Sequence, residues 1–177
     1  VKMRMAETLG EMEFTDHNKS SLFEEGVLDS LLNLVSHGNL EMKMVAVKAI
    51  LNLSSLTKNG QEMIRQGAVR PLLDILYCHT SHRNLCELVA ETIVHLALST
   101  VRQDSSEMEL SLLESNKDIR QLFSLINLTW PAVQQRLLQA FYTICQSPSA
   151  TTVQELLNEV KFALKILSLH SQTTKRL

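Results

Sequence analysis

The sequence predicts an all-α chain folded as a solenoid of stacked helical repeats. Three observations predict it. Glu24-Glu25-Gly26-Val27-Leu28-Asp29-Ser30-Leu31-Leu32-Asn33-Leu34 aligns with Arg65-Gln66-Gly67-Ala68-Val69-Arg70-Pro71-Leu72-Leu73-Asp74-Ile75, 41 residues later. A fixed period of that length marks a helical repeat array. The palette is helical as well: 45% of residues are hydrophobic, and only five Gly and three Pro interrupt the 177 residues. Finally, apolar residues recur at i, i+3, i+4 and i+7 rather than alternately. Such a chain holds about four units of roughly 40 residues. Arrays of this kind present extended surfaces to other proteins.

Each unit reads as a short, a medium and a longer helix. In the unit over 59–101, Asn59 is predicted to cap a short helix that runs through Gln66, with Met63 and Ile64 inward. Gly67 then permits a left-handed turn. Val69, Leu72, Leu73 and Leu76 form the stripe of the medium helix, and Pro71 sits in its first turn, where a missing N–H costs least. The long helix spans about 84–100, with Leu85, Leu88, Val89, Thr92, Ile93 and Leu96 on one side. The unit over 18–58 repeats the plan. Val27, Leu28, Leu31, Leu32 and Val35 mark its medium helix, Gly38-Asn39 breaks the chain, and Met42, Val45, Ala46, Ala49, Ile50 and Leu53 mark its long helix.

The unit over 102–148 diverges. Residues 105–115 are expected to form a longer first helix carrying Met108, Leu112 and Leu113. Asn116 replaces the glycine as the left-handed residue. Ile119, Leu122, Phe123 and Ile126 follow, and then a long helix opened by Pro131. Residues 1–17 read as the third helix of a preceding partial unit, with Met5, Ala6, Leu9 and Met12 inward. Residues 149–177 read as the first and second helices of another. The chain opens on Val1 and stops in a helical pattern, so it is read as an excerpt of a longer protein. Its apolar ends are expected either to self-associate or to be covered by chain beyond the excerpt, because a repeat cannot bury its face alone.

The stretch Asn59, Met63-Ile64, Gly67-Ala68-Val69-x-Pro71-Leu72-Leu73-x-Ile75-Leu76 resembles the armadillo repeat signature. Ala46-x-x-Ala49-Ile50-Leu51-Asn52-Leu53-Ser54 resembles the end of an armadillo third helix. The resemblance is strongest over residues 18–98. HEAT repeats, the nearest alternative, have two helices per unit and lack this glycine turn. The wording around Asn52 and Gly67 is similar to plant armadillo proteins, including those behind a U-box in ubiquitin ligases. The resemblance implies a right-handed superhelix whose third helices line a concave groove, with an asparagine ladder holding an extended peptide. An Asn amide suits that task because it offers a donor and an acceptor together.

The ladder positions are Glu11, Asn52, His95 and Thr143, so only one of four is Asn. Asn52 either clamps a peptide or bonds internally, and His95 is either a ligand or a structural residue. One turn earlier lie Glu7, Lys48, Glu91 and Gln139. Nuclear import adaptors of the family carry tryptophans there, and Trp130 lies elsewhere, just before a helix. With Glu87 added the groove leans acidic, which fits either a partner carrying Lys or Arg or a solvated charged face. The expected function is a protein-interaction scaffold that docks a protein or extended peptide in this groove. The alternative is the substrate-binding region of a U-box ubiquitin ligase.

Other function classes are set aside. A net charge of −2 with no basic block argues against nucleic acid. No apolar run approaches 18 residues, so no membrane span or membrane partner is expected. No signal-peptide pattern opens the chain, and the odd count of Cys78, Cys86 and Cys145 fits free thiols inside the cell, in cytoplasm or nucleus. The sequons at Asn18, Asn52 and Asn127 are chance matches. Cys78, His79, His82 and Cys86 have no zinc-finger spacing, so neither metal nor cofactor is expected. No phosphate loop, H-E-x-x-H or G-x-S-x-G appears, and no catalytic residue is assigned.

Overall fold

The computed structural model describes residues 1–11, 15–24, 26–101, 112–113, 116–126, 129–144, 146, 158 and 161. Among them the helices are α1 (Lys2–Glu11), α2 (Asp16–Glu24), α3 (Val27–His37), α4 (Leu40–Ser54), α5 (Thr57–Arg65), α6 (Val69–Cys78), α7 (Arg83–Val101), α8 (Asn116–Ile126) and α9 (Pro131–Ile144). They stack as an α-solenoid. The third helices form one layer, in which α1 packs on α4, α4 on α7 and α7 on α9. The second helices α3, α6 and α8 make another layer, and the first helices α2 and α5 touch each other. One continuous apolar core links the units: Leu31, Ile50, Leu72, Leu85 and Leu96 are wholly buried.

Local chemistry sets the joints. Gly26 and Gly67 adopt φ of 76° and 77° at the turns from first to second helix. An L side chain is strained in that left-handed region, so glycine serves both joints. Asn39 caps α4, its side-chain oxygen accepting from the Met42 amide at 2.9 Å. The Lys43 ammonium donates to the Val35 and Ser36 carbonyls at the end of α3, where the helix dipole favours a cation. On the second-helix layer, Arg70 donates to Asp74 at 2.9 Å and to Asp118 at 2.7 Å, tying α6 to α8. Its guanidinium lies 5.9 Å from the Tyr77 ring centre.

Three expectations are corrected. Asn59 is not a cap: α5 begins at Thr57, and the Asn59 side chain is buried. Its Nδ2 donates to the Leu53 carbonyl at 3.1 Å and to the Lys19 carbonyl at 3.2 Å, fastening α5 to α4 and α2. Asn116 is not left-handed, because no described residue other than glycine has positive φ and α8 begins at Asn116 itself. Leu112 and Leu113 are buried as expected but are not helical. The rest of that expected first helix, Met12, Cys145 and, apart from Asn158 and Lys161, the two helices expected over 149–177 lie outside the described residues.

By length and composition α7 is apolar enough to cross a membrane, with 19 residues and a mean hydropathy of 1.2. The expectation that no segment approaches that character fails here. The reason is position: α7 is packed by α4, α5, α6 and α9, so two helix layers need apolar partners from it.

Candidate protein-interaction site

The third-helix layer brings the predicted groove residues onto α1, α4, α7 and α9. Glu7, Glu11, Lys48 and Gln139 are exposed, while Asn52, Glu87, Glu91 and His95 are half-buried. Thr143 is a correction: it is 5% exposed, and its hydroxyl donates to the Gln139 carbonyl of its own helix at 2.9 Å. It has little to offer a partner.

The two central ladder residues reach back along the array. Asn52 Nδ2 donates to the Leu9 carbonyl of α1 at 2.8 Å. His95 Nδ1 lies 3.1 Å from Ser54 Oγ of α4. The Ser54 hydroxyl donates to the Leu51 carbonyl at 2.8 Å, so in this contact Nδ1 of His95 carries the proton and donates to Ser54 Oγ. Burial pushes the His95 pKa below the ordinary histidine value; Glu91 and the Leu51 backbone work against this, and Lys19 adds to it. A serine beside a histidine resembles a nucleophile pair, but Ser54 is 2% exposed and its proton is engaged. The pair ties α7 to α4.

The expected acidic lean is largely balanced. Lys48 stands 3.9 Å from Glu11, Arg136 3.4 Å from Glu91, and Arg83 2.7 Å from Glu87. Arg136 was missed by sequence reasoning. It lies one turn before Gln139 on the same stripe of α9, and extending the stripe by one turn would have found it.

A cleft of about 170 Å³ opens between α1, α4 and α7, lined by Ala6, Glu7, Gly10, Glu11, Met44, Val45, Lys48 and Leu88. Its floor is apolar and its rim charged, the combination that anchors a side chain and fixes its register. Gly10 matters here, because a Cβ on it would lie 3.2 Å from Lys48 Cγ and 3.4 Å from the Ala49 amide. Trp130, 40% exposed, precedes α9; its Nε1 donates to the Thr80 carbonyl at 3.3 Å, and Arg83 lies 5.9 Å from its ring centre. Among the described residues no group of three His, Cys, Asp or Glu side chains is placed to hold a metal. Cys86 Sγ instead donates to the His79 carbonyl at 3.2 Å.

Residues 15–55 match the model of the Armadillo/beta-catenin-like repeat. U-box domain-containing protein 44 of Arabidopsis thaliana is 27% identical over 169 residues, 96% of this chain and 20% of that protein. Vacuolar protein 8 of Schizosaccharomyces pombe is 26% identical over 114 residues, 64% of this chain and 20% of that protein. The chain thus spans about a fifth of the length of these curated relatives. The crystal structure of an engineered protein is similar in fold, with a TM-score of 0.70 at 17% identity, covering 91% of this chain and 61% of that one.

Proposed function

We propose that this chain, which belongs to the armadillo-repeat family, docks a protein segment across its third-helix face. Armadillo repeats generally mediate protein–protein interaction, and here the site is narrower than the family's ladder. The observation that carries it is the cleft between α1, α4 and α7, where exposed Glu7, Glu11 and Lys48 surround an apolar floor. Asn52 and His95 are engaged between units, so docking rests on the side chains around them. The test is photo-crosslinking. A benzophenone amino acid at Lys48 or Gln139 is expected to capture the partner, and the same group at the exposed second-helix residues Asp29 or Ser124 is not. Capture from the second-helix positions alone overturns the reading.

A second reading makes the region the substrate-selecting part of a U-box ubiquitin ligase. The alignment to the Arabidopsis U-box protein over 96% of the chain favours it. The full-length protein decides it, since a U-box in it supports the reading and the lack of one removes it. The free thiols of Cys78 and Cys86 fit a reducing compartment in either case, so we place the chain in cytoplasm or nucleus, which imaging of a tagged parent protein tests.

A further inference from the structure

The cleft between α1, α4 and α7 does not end at α4. Met44 lines it and also lines a second cleft of about 270 Å³ bounded by Leu40, His82, Arg83, Asn84 and Leu85. Leu40, Met44 and Lys48 fall at i, i+4 and i+8 on α4, one straight stripe. Leu85 and Leu88 on α7 stand one turn apart opposite it. Leu40 and Met44 are 37% and 38% exposed, the exposed large apolar side chains of α4. The two clefts therefore form one apolar track that runs along α4 rather than across the array.

The ends of the track differ in charge. At the α1 end stand Glu7 and Glu11, with Lys48 3.9 Å from Glu11. At the other end Arg83 bonds Glu87 through Nε, and among the described residues its two terminal nitrogens are left for a second carboxylate. The backbone amides of the first turn of α7 add positive potential at that end.

We propose that this track binds a short extended segment of a partner protein that carries a basic residue, an aliphatic anchor and an acidic residue in line. The basic residue sits at Glu7 and Glu11, the anchor over Met44 and Leu88, and the acid at Arg83. The span from Leu40 to Lys48 is about 12 Å at 1.5 Å per residue. An extended chain covers that in about four residues, so the two charges flank the anchor closely. The proposal rests on the third-helix docking reading and specifies the chemistry of the segment.

The experiment uses four capped nonapeptides in a Gly/Ser background, titrated into the ¹⁵N-labelled chain at 150 mM salt. One carries Lys-Ser-Leu-Ser-Asp; two others replace its charges with all Lys or all Asp; the last replaces Leu with Ser. The split-charge peptide is expected to shift the amides of Leu40, Met44, Leu85 and Leu88. It should bind about fivefold more tightly than either like-charge peptide, the scale of one exposed ion pair. Loss of the leucine abolishes binding. Arg83→Glu, at an exposed first-turn position, moves the preference to the all-Lys peptide, with circular dichroism confirming an unchanged fold. Shifts centred on Asn52, His95 and Gln139, with none at Leu40 or Leu85, overturn the track and leave the docking face standing. No shift on any third helix overturns both. A peptide preference unmoved by Arg83→Glu overturns the track as well.

Discussion

Replacing Asn59 tests how the units are fastened together. Its Nδ2 has two N–H bonds and uses them on the Leu53 and Lys19 carbonyls. Each bond is worth about 1 kcal/mol net, and the emptied amide volume adds to the loss. Asn59→Ala is therefore expected to cost about 2–3 kcal/mol. With a urea slope near 2 kcal/mol/M, the midpoint falls by about 1–1.5 M. Asn59→Asp keeps the shape but aims a carboxylate at two carbonyl oxygens, so at pH 7 it should cost more than alanine. That carboxyl has a folded pKa raised above the unfolded value of about 3.9. A group with a raised folded pKa contributes its stability at low pH and loses it as pH rises. The Asp variant should thus gain on the Ala variant as pH falls from 7 towards 4. Urea melts followed by circular dichroism at both pH values read this out. A midpoint shift under about 0.2 M for Asn59→Ala, or an Asp variant equal to wild type at pH 7, would refute the reasoning.

Three other outcomes are expected. Gly60→Ala places a Cβ 2.1 Å from Ser99 Oγ and 2.9 Å from Ser99 Cβ; thermal melts should show a loss of about 1–3 kcal/mol, part of which Ser99→Ala restores in the double variant. Gly67→Ala, at φ 77°, should cost about 1 kcal/mol by the same assay, and Gly67→Asn less. The depressed pKa of half-buried His95 means that the unfolded chain binds its proton first. Stability should therefore fall as pH drops from about 7 through the unfolded value near 6.5, and His95→Gln should flatten that fall in urea melts between pH 7.5 and 5.5.

The layers and their joints were legible because they depend on local chemistry. The i, i+3, i+4, i+7 stripes of α3, α4, α6 and α7 reappear as buried side chains, and Gly67 takes the conformation its place in the period demands. What could not be read were contacts over long sequence distance. Asn59 precedes a helical run, which is the pattern of a cap, and nothing local announces the Lys19 carbonyl 40 residues away. Asn116 stands at the glycine's place in the period, yet it is itself the first residue of α8 and has no positive φ. The groove positions were carried over from the armadillo resemblance, which says nothing of their availability. Burial of Thr143, the reach of Asn52 to Leu9 and the pairing of Glu91 with Arg136 all depend on how one unit leans on the next.

That lean has a direction. Asn52 bonds Leu9, Asn59 bonds Lys19, His95 meets Ser54, and the Trp130 indole bonds Thr80. In these pairs the side chain that reaches is the later one in the chain, apart from the shared contact of Ser54 with His95; Arg70 runs the other way, donating forward to Asp118. A ribosome delivers the earlier member first. Most of these ties therefore form beside partners that are already in place, and the array can grow from its N-terminal end like courses of brick, with the α6–α8 tie alone among those named waiting for what has yet to be translated.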